Sequence, residues 1–173
     1  MSITGLWAVS ESEGVTSALW EHLPRVSQGN GALGHKLDKV YRELMVDYDI
    51  VLFMGADSPH INIDDLYQSI NKFSQSKNEF LMGKTEDGGF YLFGGKETIS
   101  PEIWKGTTYS TEQTAQELSK SLENIGSVSY IDKSFDIDTY DDFKVLKSVD
   151  SSHLLKEQKE LINWVKSVLS EVN

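Results

Sequence analysis

The sequence predicts an α/β domain of three layers, with a mostly parallel sheet and helices on both faces. Apolar stretches with the character of strands alternate along the chain with stretches of helical spacing. One unbroken run at residues 50–54 is rich in β-branched and aromatic side chains, which is typical of a strand buried on both faces. Glycines follow several of the predicted strands. This order of elements favours a layered α/β architecture.

Size and composition limit the classes of function. The 173 residues suit a single domain over 1–173, and the absence of cysteine excludes disulfides and thiolate metal sites. Twenty-seven acidic against 16 basic residues give a net charge of −11, which argues against binding to nucleic acid or to an anionic membrane. With no secretory segment and no apolar run of membrane-spanning length, the expected location is the cytoplasm.

The first elements lead to a glycine-rich loop. Residues 3–9 are predicted as a strand, 12–23 as a helix that ends at Pro24, and Val26 as part of a short strand. Residues 27–34, SQGNGALG, then precede a helix with one apolar face. Such a loop exposes backbone amides that suit an anion or a nucleobase edge, although the glycines alone favour an ordinary tight connection.

A carboxylate follows the central predicted strand. The apolar run ends at Gly55, and Asp57 comes just beyond it. In open α/β sheets, ligands bind at the carboxyl edge of such strands. The alternative is that Asp57 is a turn or cap residue ahead of the helix predicted at residues 62–75.

A second acidic turn lies between two further predicted strands. Residues 80–83 and 90–93 have strand character, and Glu86, Asp87, Gly88 and Gly89 separate them. The Asp-Gly pair is common in hairpin turns. Equally, the missing side chains would let a ligand approach the backbone, with Asp87 or Glu86 facing it. Both interpretations stay open.

The last third contains the remaining predicted elements. Residues 99–108 lack a regular pattern, 111–125 are predicted as a helix, 128–131 as a strand and 140–149 as a helix. Residues 151–173 form an amphipathic C-terminal helix, expected either to cover the sheet or to form a homodimer contact.

Acidic residues crowd the segment FDIDTYDDF at residues 135–143. Thr139 and Asp142 have nearly the spacing of a capping box, so Asp141 and Asp142 are assigned to the helix that follows. Asp138 has no such role. If Asp57 and Asp138 lay about 4 Å apart, they would repel by roughly 4 kcal/mol at an effective dielectric of 20, so the pair favours a bound cation. Oxygen ligands suit Mg2+ or Mn2+.

Four motifs carry a resemblance to a known family: QGNGALG at 28–34, GADSP at 55–59, EDGGFYLFG at 86–94 and DIDTYDDF at 136–143. Tyr109, Ser110 and Thr111 match a further Trp-Ser-Thr element, with tyrosine in place of tryptophan. The chain resembles the selenodomain-associated transferase 1 family of glycosyltransferase-like proteins. That family is a branch of the GT-A nucleotide-diphosphosugar transferase superfamily.

The resemblance implies a GT-A-like fold and a metal-dependent transferase, acting by glycosyl or nucleotidyl transfer from a nucleotide or nucleotide-sugar. By this likeness Asp57 is catalytic and binds Mg2+ or Mn2+ together with Asp138. Gln28, Gly29 and Gly34 would lie near the nucleotide.

The same resemblance implies that Asp87 is catalytic, and that Gly88 and Gly89 border the sugar or acceptor. Family members open with an additional strand and a Pro-Gly loop, whose Lys and Arg hold the phosphates. The present sequence begins at what resembles their second strand, so the resemblance predicts impaired transfer. The alternatives are a non-catalytic GT-A-like binding or assembly module and, with least weight, a phosphohydrolase that uses the same carboxylates.

Overall fold

The computed structural model describes residues 2–171. The described residues form six strands: β1 Trp7–Val9, β2 Arg25–Ser27, β3 Val51–Met54, β4 Phe80–Thr85, β5 Phe90–Gly95 and β6 Val128–Ser134. The same residues form six α-helices: α1 Leu33–Leu44, α2 Ile63–Gln75, α3 Pro101–Gly106, α4 Thr114–Leu122, α5 Asp142–Leu146 and α6 Lys156–Glu171. Within these residues, no helix is long and apolar enough to cross a bilayer.

The larger sheet is mixed, which corrects the prediction of a mostly parallel sheet. Its strand order is β3-β5-β4-β6, and β5 runs antiparallel to both of its neighbours while β4 and β6 are parallel. The reason is the short turn between β4 and β5, because so short a connection can join only antiparallel strands. Strands β1 and β2 form a separate parallel pair.

Strand β3 lies at the end of the strand order, so the predicted interior position is wrong for this sheet. Val51 is nevertheless buried, and Leu52 and Phe53 are half-buried. Phe53 packs on a cluster that contains Tyr41 and Trp104, whereas Leu52 packs on a second cluster. Side chains of β3 are thus buried on both of its faces, which accounts for the apolar run at residues 50–54. The same run predicted an interior position in the sheet, because such runs are typical of interior strands.

Alternate strand residues enter two different hydrophobic clusters. Phe80, Met82 and Phe93 belong to the first, together with side chains of α1, α3 and α4. Leu81 and Leu92 belong to the second, with side chains of α2. Because successive strand residues point to opposite faces, helices pack on both faces of this sheet.

Two connecting segments differ from their predicted structure. Residues 12–23, predicted as a helix, form two short 3-10 turns at Glu13–Thr16 and Ala18–Trp20. Ser17 between them is extended and its hydroxyl accepts from the Leu19 amide, which interrupts the helical path. Residues 99–108, predicted as irregular, contain α3, which has Pro101 at its first turn. Trp104 of α3 is completely buried.

The C-terminal helix packs on the body of the chain. Its residues Ile162, Val165 and Leu169 form a third hydrophobic cluster with Leu146 of α5 and with Leu154, which lies between α5 and α6. Gln158 adds a polar connection, since its Nε2 donates to the carbonyl oxygens of Pro59 and Ile61 at 2.7 and 2.8 Å. Helix α6 is thereby attached to the segment that follows Asp57.

Candidate functional site

Acidic residues follow three strands that end at the same edge of the sheet. Strands β3 and β4 are both antiparallel to β5 and hence parallel to each other, and β6 is parallel to β4. Asp57 lies beyond β3, Asp87 beyond β4, and Asp136 and Asp138 beyond β6. The topology therefore gathers at one edge the carboxylates that lie far apart in sequence.

Hydrogen bonds join the loops after β3 and β6. The Ile137 amide donates to the Asp57 carbonyl oxygen at 2.9 Å. The buried Ser58 hydroxyl lies 3.2 Å from the carbonyl oxygen of Phe135 and 2.6 Å from Oδ1 of Asp136. These contacts hold Asp57 and Asp138 on adjoining segments, because Asp57 itself accepts from Ile137 and Asp138 directly follows Ile137.

The four carboxylates interact electrostatically. Burial raises the pKa of Asp136, and the charges of Asp57, Asp87 and Asp138 raise it further, while the Ser58 hydrogen bond acts in the opposite direction. The carboxyls thus share a region of unfavourable negative charge. Within residues 2–171, no three or more acidic or histidine side chains converge closely enough to form a complete metal cage.

Asp57 is exposed and is not the cap of the following helix. That position belongs to Asn62, whose Oδ1 accepts from the amides of Asp64 and Asp65 at 2.9 and 3.4 Å. Gly55 leaves room for the carboxylate, because a Cβ at that position would lie 2.5 Å from Oδ1 of Asp57. The interpretation of Asp57 as a helix cap is therefore excluded.

Asp87 is held at one oxygen. Its Oδ1 accepts from the hydroxyl of Thr85 and from the amide of Gly89, the latter at 3.1 Å. No donor in the described part of the chain reaches Oδ2. The side chain is consequently oriented by its own turn, with one carboxylate oxygen left to accept a proton or a hydrogen bond.

The turn at Asp87 is a hairpin connection, and its glycine is required by the backbone. Gly88 has φ of +94°, and its carbonyl oxygen accepts from the Ala115 amide at 2.9 Å. A Cβ at residue 88 would lie 2.0 Å from the carbonyl oxygen of Glu112. The hairpin and its contact with the start of α4 account for Gly88 without a ligand.

A polar cleft of about 350 Å³ lies beside this turn. Its walls come from the end of β4, the hairpin, the first part of α4 and the end of β6. The lining residues are Lys84, Thr85, Glu86, Asp87, Gly88, Glu112, Ala115, Gln116 and Lys133. Since Asp87 also acts on Asp136, the cleft and the carboxylate edge are neighbours.

Two of the residues predicted near the nucleotide lie at the end of β2. The Gln28 amide donates to the Val9 carbonyl, and its Nε2 donates to the Ala8 carbonyl at 2.8 Å. Gly29 follows with φ of +71°. Gln28 also lines a cavity of about 160 Å³ that contains Trp7 and Trp20, whose ring centroids are 5.2 Å apart.

Gly34 lies apart from that cavity. It is buried in the first turn of α1, and a Cβ there would lie 2.4 Å from the Trp104 carbonyl oxygen. Close packing of α1 on α3 accounts for this glycine. The predicted nucleotide contact of Gly34 stays a prediction.

Several residues beside the site were not singled out from the sequence. The Lys36 ammonium donates to the Ser10 hydroxyl at the end of β1, and the Lys39 ammonium donates to the Ser27 carbonyl at the end of β2. Their position directly after the glycine loop, on one side of α1, could have indicated them. Ser58 could have been noticed only through its partner Asp136, 78 residues away.

His60, which the sequence places close to Asp57, packs beneath this edge. Its ring stacks on Phe135 with centroids 3.8 Å apart, and Nε2 lies 2.8 Å from the Ser134 hydroxyl. Nδ1 is buried and has no hydrogen-bond partner among residues 2–171. Burial lowers the pKa of His60, so the neutral ring is favoured.

The chain belongs to the DUF2064 family, described as uncharacterized proteins conserved in bacteria, whose model matches residues 4–111. No curated protein matches the chain.

Among solved structures, the fold is similar to that of a proposed nucleotide-diphospho-sugar transferase from Desulfovibrio desulfuricans G20. The TM-score is 0.68 at 20% sequence identity, over 92% of this chain and 75% of the other. The protein therefore has an α/β fold of the kind found in that structure.

Proposed function

We propose that this protein is a metal-dependent transferase of the nucleotide-diphosphosugar type, within the selenodomain-associated transferase 1 branch of the GT-A superfamily. The observation that carries the proposal is the set of aspartates at one sheet edge, contributed by the ends of β3, β4 and β6. The similarity of this fold to that of a solved protein described as a proposed nucleotide-diphospho-sugar transferase supports the proposal. The transferred group is a glycosyl or a nucleotidyl unit.

Asp57 and Asp138 are the residues proposed to hold Mg2+ or Mn2+. Their oxygen-only donor set suits these ions, and two carboxylates with substrate phosphates and waters make up a usual magnesium shell. The mutual repulsion at Asp136 supports a cation in this region. When bound, the ion would neutralise charge on the diphosphate.

Asp87 is proposed as the general base for glycosyl transfer. The acceptor hydroxyl oxygen forms a bond to the anomeric carbon, and the bond from that carbon to the diphosphate oxygen breaks. The nucleoside diphosphate leaves, and the hydroxyl proton passes to Oδ2 of Asp87, the oxygen without an internal partner. Gly88 and Gly89 would border the reacting sugar or acceptor.

The nucleotide is proposed to bind beside the glycine loop that follows β2, at the cavity lined by Gln28, Trp7 and Trp20. An exposed indole offers a face on which a base can stack. Lys36, whose ammonium donates to Ser10 in the wall of this cavity, would supply positive charge. The Lys39 side chain lies close to Gly29, but its ammonium is paired with Glu43.

A thermal-shift screen of nucleotides and nucleotide-sugars, with and without Mn2+, tests the proposal. A ligand at about 100 times its Kd should stabilise the chain by about 2.7 kcal/mol. Asp57→Asn and Asp138→Asn should remove the metal-dependent part of the shift. Asp47→Asn, an exposed control, should retain it. Equal shifts in all variants would contradict the proposed metal site.

The second candidate is a non-catalytic GT-A-like binding or assembly module, including a homodimer. It is favoured by the terminal position of β3 in the larger sheet and by the separate pair β1 and β2. Such strand edges can pair with another chain. Metal-independent association without any nucleotide-dependent shift would favour this candidate over the transferase.

A further inference from the structure

Two lysines, Lys84 and Lys133, line the cleft beside Asp87. Within residues 2–171, neither ammonium forms an ion pair or a hydrogen bond, and Lys84 makes only a cation–π contact, 4.5 Å from the centroid of the Tyr130 ring.

The carboxylates of the cleft are also unpaired with these lysines. Glu86, Asp87 and Glu112 line the same walls, yet in the described part of the chain none of them forms an ion pair with Lys84 or Lys133. Asp87 is instead oriented by Thr85 and Gly89. The cleft therefore presents separate positive and negative groups to a ligand.

A ligand that satisfies both kinds of group has an anionic part and a hydroxyl part. The anion would lie between Lys84 and Lys133, where charge-assisted hydrogen bonds are strong. The hydroxyl would donate to the free oxygen of Asp87. A purely neutral sugar would leave both ammonium groups unpaired, and a purely anionic ligand without a hydroxyl would meet the Asp87 charge unfavourably.

We infer that the cleft beside Asp87 binds an acceptor that carries a carboxylate or phosphate in addition to the hydroxyl that receives the transferred group. This inference rests on the proposed function, because it assigns the substrate class of the acceptor side of the same site. Lys84 and Lys133 determine specificity through the anion, while Asp87 accepts the proton of the attacking hydroxyl. The new bond joins that oxygen to the anomeric carbon, and the nucleoside diphosphate leaves.

Three small probes with the same three-carbon backbone test the inference: glycerol, glycerate and glycerol 3-phosphate. Each is titrated into the full chain while the amide resonances of Gly88 and Gly89 are followed by 1H–15N NMR. Saturable shifts are expected with glycerate or glycerol 3-phosphate, and the stronger of the two identifies the preferred anion. Glycerol should give none at the same concentrations.

Charge-neutral variants assign the effect to the two lysines. Lys84→Gln and Lys133→Gln should each weaken binding of the preferred anion by about tenfold, the loss typical of one charge-assisted contact. Lys120→Gln, on the exposed side of α4, is the matched control and should bind as the wild type does. Equal weakening by Lys120→Gln, or glycerol shifts as large as those of the anions, would overturn the inference.

Mn2+-dependent binding of a nucleotide-sugar is measured separately in the wild type and in the control variant Lys120→Gln, and it should be the same in both. Nucleotide-sugar binding without any response to the anionic probes refutes the acceptor inference alone. Anion binding without nucleotide-sugar binding refutes the proposed function, and with it the acceptor role of the cleft.

Discussion

At residue 88, two independent constraints exclude any side chain larger than the hydrogen of glycine. Its positive φ disfavours any L side chain by about 1–2 kcal/mol, and overlap with the Glu112 carbonyl adds a similar cost. Gly88→Ala is expected to lower the free energy of unfolding by more than about 2 kcal/mol in chemical denaturation. Gly106→Ala is the control, since its added Cβ would have no atom within 4 Å. Similar losses in both variants would contradict this account.

His60 is expected to make stability depend on pH. Burial lowers its pKa in the folded chain, whereas the unfolded value is about 6.5. The unfolded state then binds more protons, so stability falls as the pH decreases below about 6.5 towards the folded pKa. The change in unfolding free energy between pH 7.5 and pH 5.5 should be smaller in His60→Gln than in the wild type. An identical change in both would show that His60 does not contribute.

Local spacing predicted the role of Asp142 in a helix start but not the contacts between residues far apart in the sequence. Asp142 was assigned to a helix start, and its Oδ2 indeed accepts from the Thr139 amide at 2.7 Å. The pairing of Ser58 with Asp136 spans 78 residues and depends on the order of strands, which no local pattern encodes. The positions of Lys84 and Lys133 in one cleft likewise require the β4–β6 pairing.

Among the elements, α6 has a stabilising role that can be measured. Ile162 is 1% exposed within the third hydrophobic cluster. Ile162→Ala should therefore cost about 2–5 kcal/mol of unfolding free energy. Lys166→Ala on the exposed side of the same helix should change it little. Deletion of residues 151–173 should give destabilised or insoluble protein, and an unchanged melting temperature would contradict the role of α6.

Helices with a clear apolar face were predicted well, and strand arrangement was not. The predicted segment 62–75 matches α2, which begins after its cap Asn62. Residues 12–23 have apolar residues at helical spacing but form 3-10 turns, because the Ser17 hydroxyl competes for the backbone. The direction of β5 follows from the Asp-Gly turn, which the sequence left open between a hairpin and a ligand loop.

For the whole molecule, the end position of β3 raises the question of self-association. The Gly55 amide donates to the Tyr91 carbonyl oxygen in β5. Because successive amides of an antiparallel strand point to opposite sides, the Met54 amide points away from β5. If another chain pairs there, Met54→Pro should reduce association without removing a bond to β5, whereas Met54→Ala should not. Analytical ultracentrifugation over a range of concentrations checks this. Equal association of both variants would exclude pairing at this edge.

The proposed function requires the aspartates at the sheet edge to bind a nucleotide-sugar together with a divalent ion. Isothermal titration calorimetry of the nucleotide-sugar that binds most strongly in the screen, with Mn2+ or with a chelator, measures this requirement. Binding should require Mn2+ in the wild type and in Asp47→Asn, and it should be lost in Asp57→Asn and Asp138→Asn. Binding that persists in the chelator, or that is unaffected by both substitutions, would contradict it.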